Sequence, residues 1–284
     1  MKTLLVLLFG LSSLAHAARL HTRLQALGEV HPGDDEVMVL AEGEGRVLWA
    51  PLADPALVRA LTEAQAEKLW LLVDFDLDSA RIKGVQLLAA PALEARDEAV
   101  EKQFFTPTVL STFQEAQALF NRQDKRTKRH SQCFNRAHGW AYDMWRLAGV
   151  STQKVFIFFT QRYIRNYRYK WWFHVAPYTL VQSSQGPIEH VLDVTFSRGP
   201  LQMRPWTDMF MQNNAPCPTV QSYSQYRLNQ DTQDCYLLKT SMYYRVPSEL
   251  ERLESEGVQK HNWSLVEIAQ ARQEAFIDWQ RYNP

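Results

Sequence analysis

The chain has 284 residues, 46% hydrophobic and 22% charged, which excludes a wholly disordered polymer and fits one large domain or two modest ones. Lys+Arg and Asp+Glu are equal at 31 each, so no global charge points to a nucleic-acid partner. A mean hydropathy of -0.34 excludes a multi-span membrane protein, and 3 cysteines exclude a disulfide-dense miniprotein.

In chain order, Met1-Lys2, an apolar run from Leu4 to Leu14 and Ala15-His16-Ala17 read as a secretory signal peptide over 1–17. The run is too short to span a bilayer, so no stable membrane insertion is expected and the protein is read as secreted or periplasmic. The remainder is divided in charge: 18–106 carries a net -7 and 107–284 a net +6, so the two parts should attract each other. Pro91, Pro107 and the charged stretch from Glu94 to Lys102 mark the boundary.

Val37, Val39, Val47 and Trp49 around Gly43 and Gly45 suggest a hairpin over 35–50. Leu57 to Leu72 reads as a helix. Leu69 to Leu77 reads equally as an edge strand with acids on one side. Asp74, Asp76 and Asp78 have the spacing that opens a calcium loop, but the Gly and Glu such a loop needs are missing, so no metal is expected. Thr112 to Gln123 reads as a helix with Phe113, Ala116, Leu119 and Phe120 on one face. The basic run Lys125 to Arg129 reads as a solvated loop. Cys133 to Leu147 reads as a helix stopped by Gly149. Strands are expected at Val155 to Phe159, Trp171 to Val181, Val191 to Phe196 and Tyr236 to Tyr244. A last helix, Leu265 to Tyr282, opens with the capping pair Ser264 and Glu267. One helix packed on sequential antiparallel strands gives an α+β fold.

Cys133 stands at the start of its helix, where unpaired N–H groups and the positive dipole end favour a thiolate. Cys217 and Cys235, 18 apart in a turn-rich stretch, are the natural disulfide pair, which leaves Cys133 free. His174 lies in an aromatic strand and Asp193 in an apolar one, where a carboxylate needs a partner. Pairing of their strands through the turn at 183–187 brings the two close, and Cys133, His174 and Asp193 then form a thiol–imidazole–carboxylate set. Trp171, Trp172 and Tyr178 are candidate walls of the substrate cleft. His138 points about 140° away from Cys133 on the helix, so it is a poor base.

Cys133-Phe134-Asn135-Arg136-Ala137-His138, Trp172-Phe173-His174-Val175-Ala176 and Leu192-Asp193 resemble the bacterial secreted protein-glutaminase family, as does Leu119-Phe120-Asn121. The resemblance implies a transglutaminase/papain-like core over 107–284, with Cys133, His174 and Asp193 as a catalytic triad. It implies deamidation of glutamine side chains through a Cys thioester, with no cofactor. It further implies a zymogen, with the acidic 18–106 segment as a smaller α/β propeptide over the cleft, removed by an activating protease. The partners expected are proteins or peptides with exposed Gln, and the chain is read as a monomer. Transglutaminase, papain-like cysteine peptidase and an inactive secreted binding protein are the competing readings.

Overall fold

The computed structural model describes residues 17–88, 106–125 and 132–277. The signal sequence up to residue 16, the boundary around 90–105 and most of the basic run lie outside the described residues.

The N-terminal part holds β1 (Ala17–Thr22), β2 (Leu24–Leu27), β3 (Glu36–Ala41), β4 (Leu48–Pro51), α1 (Pro55–Ala66), β5 (Trp70–Asp76) and β6 (Ile82–Leu88). These form two three-stranded antiparallel sheets, β1-β5-β6 and β2-β3-β4. The expected hairpin is present as β3–β4, with Val37 opposite Ala50. α1 ends at Ala66 rather than Leu72, because Lys68 turns to φ 52 and the chain enters β5. β5 is the central strand of its sheet, not an edge. Its residues alternate, with Leu71, Val73 and Phe75 inward and Asp74 and Asp76 on the outer face. There Asp74 pairs with Arg19, and Asp76 accepts from Ser79 and Lys83.

The C-terminal part begins with β7 (Val109–Leu110), α2 (Phe113–Arg122), α3 (Cys133–Ala148), β8 (Gln153–Phe159), α4 (Gln161–Tyr167), β9 (Phe173–Ser183) and β10 (Gly186–Val191). It continues with β11 (Leu201–Gln202), α5 (Met203–Asp208), β12 (Thr219–Val220), β13 (Cys235–Ser241), α6 (Pro247–Ser255) and α7 (Leu265–Arg272). The sheet runs β11-β10-β9-β8-β13-β12, with β7 parallel to β9. Its centre, β10-β9-β8-β13, is antiparallel throughout. α3 packs on it through Phe134 and Ala137 in a core with Phe156, Phe158 and Phe173. Gly149 ends α3 in the left-handed region, φ 65, as the helix-stop reading required. Phe113, expected on the buried face of α2, is 45% exposed. The expected strand from Val191 to Phe196 is in fact β10, which ends at Val191. Beyond it the Asp193 carbonyl accepts from Ser197 N and Oγ, folding the chain into a turn.

β3 joins the two parts. Val37, Val39 and Ala41 fill the N-terminal core, while Met38 and Leu40, with Val47, enter the core that contains Cys133. That is why the stretch is apolar at every position rather than alternating: both of its faces are covered. Cys217 and Cys235 form a disulfide with Cα atoms 5.0 Å apart. No helix among the described residues is long and apolar enough to cross a membrane.

Candidate active site

Cys133 opens α3, one residue after the N-cap Gln132. His174 is the second residue of β9, and Asp193 lies two residues beyond β10. The β9–β10 register sets Val191 opposite Tyr178, and Leu192 N donates to the Pro177 carbonyl. The hairpin therefore carries Asp193 back toward His174. His174 Nε2 lies 2.6 Å from Asp193 Oδ2, and the ring is also hydrogen-bonded to the Cys133 thiol. The three are 3%, 6% and 1% exposed for Cys133, His174 and Asp193, so the set is closed off from bulk water.

Two further residues hold the carboxylate. Trp206 Nε1 donates to Asp193 Oδ2 at 3.1 Å, and Thr195 N donates to Oδ1 at 3.2 Å. Burial opposes the charge on Asp193, but the His174 charge and hydrogen bond and the Trp206 N–H outweigh it, so the carboxyl is held below its usual range. Burial likewise opposes the imidazolium of His174, but Asp193 outweighs it, with the Cys133 thiol adding to the effect. The ring is pushed up to about 9. Phe196, Phe210 and Trp206 surround the ring, with centroids 4.9, 5.0 and 6.0 Å away.

A small cavity opens beside the thiol, lined by Cys133, Arg136, Tyr169, Trp171, His174, Phe196 and Phe210. Trp171 is thus placed at the site. Trp172 is not a wall: it is 1% exposed, and its Nε1 donates to the Glu44 carbonyl at 2.7 Å. Tyr178 is not brought to the site. It lies four residues along β9 from His174, about 13 Å at strand rise, and its hydroxyl donates to Gln153. His138 faces away, with Nδ1 at 2.7 Å from the buried Lys154 Nζ. Arg136, one turn after Cys133, is 6% exposed, and its charge acts on both Cys133 and Asp193. Among the described residues no group of His, Cys, Asp and Glu is arranged to hold a metal.

A helix-borne thiol and a strand-borne imidazole fixed by a buried carboxylate define a thiol–imidazole–carboxylate protein of mixed α/β architecture. Residues 109–210 match the family model described as Glutaminase, a stretch that contains all three residues. Among solved structures the chain is similar to pro-protein-glutaminase, with a TM-score of 0.56 and 13% identity over 89% of this chain and 90% of that one. A mutant of pro-protein-glutaminase gives 0.56 and 14% over 80% and 83%. At such identity the likeness is one of fold. No curated protein sequence matches the chain.

Proposed function

We propose that the chain hydrolyses the side-chain amide of protein- or peptide-bound glutamine, giving glutamate and ammonia. The observation that carries this reading is the contact of His174 with both Cys133 and Asp193 inside the segment that matches the glutaminase family. Cys133 Sγ, as thiolate, attacks the carboxamide carbon. The carbonyl electron pair moves to oxygen, and the tetrahedral oxyanion is met by the free N–H groups at the start of α3. Protonated His174 gives its proton to the leaving nitrogen, and collapse breaks the C–N bond, leaving a thioester and ammonia. His174 then takes a proton from water, the hydroxide attacks the thioester, and the thiolate leaves as the carboxylate forms. Asp193 holds the ring throughout. The helix-borne thiol beside a strand-borne base supports reading the core as transglutaminase/papain-like.

The same proposal extends to maturation. Export removes residues 1–17, and 18–106 is an inhibitory pro-segment. Its support is contact: Asp34 binds Arg165 on α4, Glu29 binds Gln161, and Glu44 and Gly45 bind Gln132 and Trp172 beside the thiol. The test incubates intact and trypsin-nicked protein with a glutamine peptide. Ammonia release with a gain of about 1 Da, larger after nicking and absent in C133A, is expected. Peptide fragments would indicate a peptidase, and incorporated amine a transglutaminase. Equal activity before and after nicking would remove the pro-segment role.

A further inference from the structure

We propose that the side-chain amide of Gln132 is an oxyanion donor for acyl transfer at Cys133, and that Glu44 holds it while the chain is intact. This rests on the cysteine amide chemistry proposed above and adds a residue to it.

Gln132 is the N-cap of α3, yet its side chain makes no capping bond to its own helix. It reaches out instead. Its Nε2 donates to Glu44 Oε1 at 2.8 Å, and its Oε1 accepts from Gly45 N at 3.1 Å. Attack by Cys133 places negative charge on an oxygen at the N-terminus of α3. The unpaired backbone N–H groups there are preorganised donors, and a side-chain N–H beside them adds to their hold on the charge. Gln132 is the residue adjoining Cys133, and its amide N–H already rests on an anionic oxygen. The Glu44 carboxylate is that oxygen, chemically a stand-in for the charge that acyl transfer creates.

The surrounding turn is built to present it. Glu44 is 4% exposed, and Arg46 neutralises it through Nε at 3.1 Å and backbone N at 3.0 Å. Trp172 anchors the turn, with N donating to the Gly45 carbonyl at 3.0 Å and Nε1 to that of Glu44 at 2.7 Å. Position 45 leaves little room for a side chain. A Cβ there would lie 3.1 Å from Gln132 Oε1 and 3.2 Å from Trp171 Cε3. Nε2 carries two N–H bonds, but the bond to Glu44 and the Gly45 N–H on Oε1 together fix where the whole amide points, so freeing Gln132 from that turn is what lets its amide swing to the oxyanion.

The test compares two reactions of the same thiol in the full chain. Acylation by p-nitrophenyl acetate passes through an oxyanion. Alkylation by iodoacetamide is a displacement at saturated carbon and passes through none. E44A, and E44Q as a variant that keeps the side chain's shape, should acylate faster than wild type. E44Q/Q132A should then acylate at least tenfold more slowly than E44Q, toward the roughly 10²–10³-fold worth of one donor. Alkylation should stay within twofold, with C133A as the blank. Acylation unchanged by Q132A, or acylation and alkylation falling together, would overturn the donor role. No gain in either Glu44 variant would overturn the hold. Gln132-dependent acylation with no ammonia from any glutamine peptide would leave this inference standing and overturn the deamidase reading instead.

Discussion

At the scale of single residues, the pH dependence turns on His174. Its pKa is raised to about 9 in the folded chain against an ordinary 6.5, so the charged ring stabilises the fold. That contribution is complete below about pH 6.5 and is lost as pH rises through 9. The ammonia-release rate should fall on the same alkaline limb, because the uncharged ring has no proton for the leaving nitrogen. D193N removes the carboxylate while burial remains, so the limb should move below 6.5 and the rate at pH 7 should drop about 10²–10⁴-fold. A limb still near 9 in D193N would show that Asp193 is not what holds the proton. The meeting of Cys133, His174 and Asp193 was legible because each sits where its chemistry is out of place, a thiol at a helix start and a His and an Asp among apolar neighbours. Trp206 was not legible. Its indole N–H meets Asp193 across 13 residues of turn and short helix, and a Trp in an apolar stretch carries no mark of its hydrogen bond. Nor was the place of Arg136 in the cavity beside Cys133, which depends on the pitch of α3 against β9.

At the scale of elements, α3 is held from both sides. Its sheet face packs on β8 and β9, and its outer face is tied to the C-terminal helix through Asn135. Arg245 donates Nε and Nη2 to Asn135 Oδ1 at 2.9 and 2.5 Å, and Asn135 Nδ2 donates to Glu274 at 2.6 Å. Arg245 is 8% exposed, so R245A should leave Asn135 and Glu274 without their shared cation and cost about 2–3 kcal/mol. The urea midpoint measures it, and a loss within experimental error would show that the network is incidental. The disulfide belongs to this scale too. Replacing Cys217 and Cys235 together by Ser reopens a loop of 18 residues and should cost roughly 3 kcal/mol, read from the same midpoint with and without reductant. Helices with their own punctuation were legible: Thr112 caps α2, Gly149 ends α3 and Ser264 opens α7. What failed was decided at a distance. α1 stops early because β5 must lie between β1 and β6, and β10 stops at Val191 because the chain turns to bring Asp193 onto His174.

At the scale of the whole molecule, the division of charge becomes a specific joint. The acidic segment meets the basic part where Arg165 Nη1 holds both oxygens of Asp34 at 2.7 and 2.6 Å and Nη2 donates to the Glu29 carbonyl. Gln161 closes the same joint, donating to the Glu29 carbonyl at 2.7 Å and accepting from its N–H at 2.8 Å. The Arg165 hydrogen bond holds the Asp34 carboxyl below its ordinary 3.8. Its contribution is therefore complete above about pH 3.8 and is lost only as pH falls through the lower folded value. Asp34 therefore stays charged between pH 5 and 9, so on the pro-segment reading proposed above acidity in that range should leave the joint closed and removing its charge should open it. R165A should raise ammonia release by the intact chain toward that of the nicked protein. D34N should do so less, because Arg165 keeps the Glu29 carbonyl. Added salt should move wild type in the same direction but weakly, since the pair is only 21% exposed on each side and the apolar seam of Met38 and Leu40 is insensitive to screening. An intact R165A no more active than wild type, with the nicked protein active, would place the hold in that apolar seam and the Glu44–Gln132 contact rather than in the charges.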